Sequence, residues 1–85
     1  MKRVFKYELS QSTKTLEIPG GARIVNVNGQ NGVVCLWAIV DSENSLEKRT
    51  FQIYGTGHPI EDDRAEAYVG TAHVAPFVWH VFELL

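Results

Sequence analysis

Apolar and polar residues alternate with a period of two along most of the chain, the signature of half-buried strands rather than of helices. Across residues 4–9, Phe5, Tyr7 and Leu9 fall on one face while Lys6 and Glu8 point the other way. Residues 15–18 alternate again until Pro19-Gly20-Gly21 stops them. In residues 23–28 the same period puts Val25 and Val27 on one face and Ile24 with Asn26 and Asn28 on the other. Two Asn-Gly pairs follow in Asn28-Gly29-Gln30-Asn31-Gly32, and because both residue types tolerate positive φ they predict a tight hairpin turn.

Residues 33–40 are apolar on both faces, Val33, Cys35, Trp37 and Ile39 against Val34, Leu36, Ala38 and Val40. Such a strand is expected in the centre of a sheet, covered above and below. Residues 41–48 read as a polar loop with one helical turn, and residues 50–54 as a strand with Phe51 and Ile53 on one face. Gly55-Thr56-Gly57-His58-Pro59 breaks that strand, and the acidic residues 60–65 suit a short helical turn. Residues 66–74 and 77–84 predict a final hairpin around Ala75-Pro76, with Phe77, Trp79 and Val81 on one face of its second strand and Val78, His80 and Phe82 on the other. No segment carries the 3.6-residue period over ten residues. The chain is therefore expected to be all-β, a single domain over residues 1–85, built as a compact antiparallel β-sandwich or small barrel of about seven short strands.

Composition narrows the picture. Hydrophobic residues make up 45% and charged residues 21%, so the chain is expected to fold rather than stay disordered. A domain of 85 residues buries a modest share of its surface. Phe5, Tyr7, Trp37, Phe51, Tyr54, Tyr68, Phe77, Trp79 and Phe82 are expected to compensate with a dense aromatic core. Edge strands with few blocking prolines, which stand only at positions 19, 59 and 76, predict pairing into a homo-oligomer. The net charge of −2 lacks the basic footprint of a nucleic-acid binder, so no direct DNA or RNA binding is expected. Met1-Lys2-Arg3 precedes no apolar signal region, and the longest apolar run is far below the ~20 residues of a membrane-spanning helix. The expected location is the cytoplasm, with no membrane partner.

Candidate chemistry concentrates in Gly55-Thr56-Gly57-His58. The glycines leave backbone N–H groups open to a ligand, and Thr56 and His58 add polar handles. Glu61, Asp62 and Asp63 oppose an anion there, and Arg64 offsets one of their charges. Gly55, Thr56, Gly57, His58 and Arg64 are thus the candidate ligand- or partner-binding residues. The segment lacks the Gly-Lys-Ser/Thr ending of a P-loop. Equally, it reads as a strand exit fixed by Pro59.

The remaining chemistry is sparse. His58, His73 and His80 match no zinc spacing, so no metal site is expected, although His73 and His80 lie on neighbouring strands. Cys35 sits in the apolar run with no electropositive neighbour and reads as a small buried hydrophobe. No nucleophile elbow or separated carboxylate pair is present. No catalytic residue and no cofactor are expected, and the protein reads as a non-enzyme. Trp37 reads as core. Trp79, next to His80, reads as core or as the wall of a recessed pocket.

Four stretches in order, MKRVFKYEL, QNGVVCLWAIVD, GTGHPI and VWHVFE, together resemble a family of small uncharacterised proteins of tailed phages and bacterial prophages. The resemblance spans nearly the whole chain and implies a setting in a bacterial host. Small phage proteins outside the virion often act by binding. By that analogy the expected role is counter-defence, trapping a small nucleotide signal as an oligomer. The alternatives are direct inhibition of a host protein through a sheet face or edge, and a minor structural or assembly role.

Overall fold

In a computed structural model of the protein, which describes residues 1–61, 63 and 67–85, the chain runs as seven antiparallel strands. They are β1 (Lys2–Leu9), β2 (Thr13–Pro19), β3 (Arg23–Gln30), β4 (Val33–Asp41), β5 (Leu46–Gly55), β6 (Ala67–Val74) and β7 (Phe77–Leu84). One sheet has the order β1-β4-β3 and the other β2-β5-β7-β6. The all-β expectation holds, and two separate ladders make the domain a sandwich. The short helical turn expected within residues 60–65 falls partly outside the described residues, as does Arg64.

The core lies between the sheets. Leu9, Leu16, Ile18, Val27, Val34, Leu36, Val40 and Val81 pack there around Phe51, which is fully buried. The expected aromatic core is thus corrected to an aliphatic one. Phe5, Tyr68 and Phe77 are exposed, and Tyr54 is buried with Leu84 and Phe82 in a separate cluster. Only the inward-facing half of each strand reaches the core, and most aromatic positions fall outside that half or at its ends.

The β3–β4 hairpin turns through the second Asn-Gly pair. Asn31 (φ 54°) and Gly32 (φ 76°) connect the paired residues Gln30 and Val33, the two positive-φ residues of a type I′ turn. The first pair lies within β3. There Gly29 leaves room for the neighbouring sheet, because a Cβ would stand 2.9 Å from the His73 carbonyl oxygen.

The expected facing of β3 is corrected by a β-bulge. Ile24 pairs with Ala38 and Asn26 with Trp37, leaving Val25 as the extra residue. The bulge shifts the alternation by one, so Ile24 and Val27 pack into the core while Val25 is exposed.

β4 is central in its sheet, as its composition demands, but one face only is covered. Val34, Leu36, Ala38 and Val40 are buried against the second sheet. On the outer face Cys35 is buried, whereas Val33, Trp37 and Ile39 are half-buried, so Trp37 is not a core residue. β5 starts at Leu46, earlier than expected, because Glu47 to Arg49 pair with Leu16 to Ile18 of β2. The polar loop shrinks accordingly to residues 42–45 and carries no helix.

Strand register decides where the connections gather. Leu9 pairs with Val34, Thr13 with Gln52, Gly55 with Trp79, and Val74 with Phe77. The connections at 10–12, 31–32, 55–61 and 75–76 therefore share one end of the sandwich.

Candidate functional site

The strand β5 delivers Gly55 to that end, where the chain turns. The His58 N–H donates to the Gly55 carbonyl at 3.0 Å, and Gly57 takes φ 87°, the left-handed conformation that this turn position favours in glycine. The Thr56 N–H donates to the Val78 carbonyl at 3.3 Å, tying the turn to β7. The N–H groups of Thr56 and His58 are thus spent within the fold.

The His58 ring lies over Gly55. A Cβ on residue 55 would stand 2.7 Å from Cε1 and 2.8 Å from Nδ1 of that ring, so only glycine admits it in place. His58 also meets Trp79 edge to face, with ring centroids 6.3 Å apart. Trp79 packs against the core on its inner side and lines a cavity at the sandwich end, combining both readings of its position.

The outer face of the second sheet carries an aromatic group. Phe82 on β7 makes edge contacts with Tyr54 at 5.8 Å and with Tyr68 at 5.7 Å. Beside it, a chain of hydrogen bonds crosses three segments. His80 Nε2 is 2.8 Å from the Thr56 hydroxyl, His80 Nδ1 is 3.2 Å from the Thr71 hydroxyl, and that hydroxyl is 2.5 Å from the Tyr68 phenol oxygen. Alternation places His80 and Phe82 together, and the cross-strand pairs Thr71–His80 and Tyr68–Phe82 bring their partners alongside.

Loop and sheet enclose an open pocket of about 230 Å³. Gly55, Thr56, Gly57, His58 and Ile60 line it from the loop, and Tyr54, Tyr68, His80 and Phe82 from the sheet. Four of the five sequence-expected residues converge there, and Arg64 lies outside the described residues. Tyr68, Tyr54 and His80 were not foreseen as partners of the loop. Their signal was the polar-aromatic outer face of β7, which gains meaning only once β6 is paired to it.

A second cavity of about 280 Å³ opens between the sheets, with Leu9, Val34, Ile53, Val74 and Trp79 as walls and Ser10, Gln11 and Ser12 at its rim. His73 is exposed opposite Val78, one diagonal step from His80. Among the described residues no three His, Cys, Asp or Glu side chains gather as metal ligands. Burial pushes the Cys35 thiol above its ordinary pKa, which disfavours the thiolate form. No helix among the described residues is long and apolar enough to cross a membrane.

The chain matches the family described as Domain of unknown function (DUF7352) over residues 1–85, and it belongs to that family. No curated protein and no solved structure matches it.

Proposed function

We propose that this member of the DUF7352 family is a non-enzymatic binding protein that takes a small nucleotide ligand in the pocket between the Gly55–His58 turn and the outer face of β6 and β7. The observation that carries this reading is the convergence of Thr56 and His58 with Tyr54, Tyr68, His80 and Phe82 around one concavity. Aromatic faces and edges with a few polar groups are what a nucleobase requires. The pocket of about 230 Å³ holds one ring system, since sites for whole small molecules run from about 300 to 1,000 Å³. The rest of a nucleotide therefore needs a second surface.

A second copy of the chain supplies that surface in this reading. Ile60 and Tyr68, at the pocket, are 54% and 60% exposed, and burying them in a homo-oligomer would close the site. The edge strand β1 carries Lys2, Arg3 and Lys6, charges that disfavour edge-to-edge pairing at that strand. The resemblance to phage and prophage proteins supports the setting of counter-defence in a bacterial host, with sequestration of a nucleotide signal as the act.

The test is native mass spectrometry of the protein purified from a bacterial host, beside sedimentation. A bound nucleotide on a dimer or larger closed assembly is the expected result. A ligand-free 9.5 kDa monomer at micromolar concentration overturns it.

A second reading has its own observation. On the outer face of the first sheet, Val4 (60% exposed) and Val25 (48% exposed) adjoin half-buried Trp37 and Ile39. An apolar strip there suits direct inhibition of a host protein. Loss of inhibition in Trp37→Ser, with nucleotide binding absent in the parent protein, would favour it.

A further inference from the structure

We infer that the pocket selects an uncharged polar ring, of the kind a nucleobase presents, over a phosphate group. This rests on the pocket reading above and goes on to assign which part of a nucleotide enters.

The inference comes from counting protons in the chain Thr56–His80–Thr71–Tyr68. A neutral imidazole carries one N–H, and each of the three hydroxyls carries one O–H. Four protons thus serve three hydrogen bonds, at 2.8, 3.2 and 2.5 Å. One proton is left over. It stands at an end of the chain or on Thr71, whose oxygen can accept from both of its neighbours at once.

Three arrangements satisfy all three bonds. In one, His80 Nε2–H donates to Thr56, Thr71 donates to Nδ1, and Tyr68 donates to Thr71. Thr56 then keeps a free O–H, and Tyr68 offers lone pairs alone. In the second the direction reverses: Thr56 donates to Nε2, Nδ1–H donates to Thr71, and Thr71 donates to Tyr68. Tyr68 then keeps the free O–H, and Thr56 offers lone pairs alone. In the third, Thr56 donates to Nε2 while Nδ1–H and Tyr68 both donate to Thr71, so the ends at Thr56 and Tyr68 both offer lone pairs alone.

Thr56, His80 and Tyr68 all line the pocket. Whichever arrangement holds, at most one end donates and at least one end can only accept. A ligand that carries at least one donor beside its acceptors can meet these ends. Nucleobases carry donors and acceptors on one planar frame, whose faces also suit Tyr54, Tyr68 and Phe82. A phosphate dianion offers acceptors only and would face lone pairs at one end at least. A donor at both ends requires an imidazolium, which brings a fifth proton.

The test is an NMR titration at neutral pH with adenosine, guanosine, cytidine, uridine and inorganic phosphate as separate probes. At least one nucleoside should produce saturable shifts at Thr56, Tyr68 and His80, and phosphate should not. Tyr68→Phe, which keeps the ring and removes the hydroxyl, should weaken that nucleoside about tenfold, the ratio expected for one lost hydrogen bond. Thr56→Val should do the same. In the complex the ring nitrogen shifts of His80 should report a single neutral tautomer. Saturable binding of phosphate with no nucleoside bound overturns the inference and leaves the pocket reading standing. Nucleoside binding that survives both substitutions at full strength, or an imidazolium in the complex, also overturns it. If no probe moves the pocket residues, both the inference and the pocket reading fail.

Discussion

Arg49 grips Glu83 through two parallel hydrogen bonds of 2.7 Å, from Nε to Oε2 and from Nη2 to Oε1, across β5 and β7. The third arm, Nη1, donates to the Ala22 carbonyl at 2.7 Å, and the guanidinium lies 5.9 Å from the centre of the Phe51 ring. One side chain thus joins both central strands of the larger sheet to the turn that leads into the smaller one. The carboxylate partner raises the Arg49 pKa further, so the cation persists at any working pH.

Both groups are largely sheltered, with side chains 23% and 16% exposed. Glu83→Ala is therefore expected to cost about 2 kcal/mol, between the value of a surface pair and the ~3–5 kcal/mol of a fully buried one. Arg49→Met with Glu83→Leu should recover much of that loss, since neither charge is then stranded. Urea denaturation of the two variants checks both statements, and a double variant less stable than Glu83→Ala would count against this role for the pair.

The two sheets meet most closely where β3 passes β6. A Cβ on Gly70 would stand 2.7 Å from both Cβ and Cγ2 of Val27, and one on Gly29 would stand 2.7 Å from Cγ2 of Val74. Neither glycine is there for a positive φ; each clears space for the opposing strand. Gly70→Ala is expected to destabilise by about 1–3 kcal/mol through overpacking. Val27→Ala in the same chain should relieve part of that clash. A thermal melt in which Gly70→Ala matches the parent would show that the corner yields more readily than its distances indicate.

Strand type and number were legible in the sequence because a period of two records which side of a strand is buried. The β7 range 77–84 and the facing of its residues match the structure residue for residue. The facing of β3 was not legible, since a single bulge residue at Val25 reverses the pattern without any local signal in glycine or proline. The burial of Trp37 was not legible for a related reason. An apolar run shows that a strand is central in its sheet, but not whether a second layer exists to cover its outer face. For the site, the loop stood out through its glycines, whereas Tyr68 and Tyr54 became partners only through pairings between distant strands.

Cys35 is fully buried, and its Sγ lies 3.6 Å from the Val33 carbonyl oxygen. Desolvation raises its pKa, so both access and thiolate supply are low in the folded state. A thiol reagent such as Ellman's should leave the native protein unmodified over the time in which it titrates one thiol in urea. Rapid native labelling would mean that the outer face of β4 opens readily.

The contact between His58 and Trp79 depends on an absent side chain. Gly55 has no positive φ, so alanine fits its backbone, but the new methyl group would occupy the place of the His58 ring. His58 is exposed and free to swing outward. Gly55→Ala should therefore leave the melting temperature nearly unchanged, the ~0.4–1 kcal/mol gained from a less flexible unfolded chain offsetting the lost ring contact. In a Trp37→Phe background, where Trp79 is the remaining tryptophan, its emission should shift in Gly55→Ala and in His58→Ala alike. If the turn is a binding element, Gly55→Ala should lose nucleoside binding without losing stability, because the displaced imidazole no longer lines the pocket. A mere strand exit predicts the opposite for Thr56→Ala/His58→Ala, a pair of exposed substitutions worth less than about 0.5 kcal/mol each. Full binding by that double variant, folded normally, would remove the turn from the site and leave the outer face of β4 as the place to look for a partner.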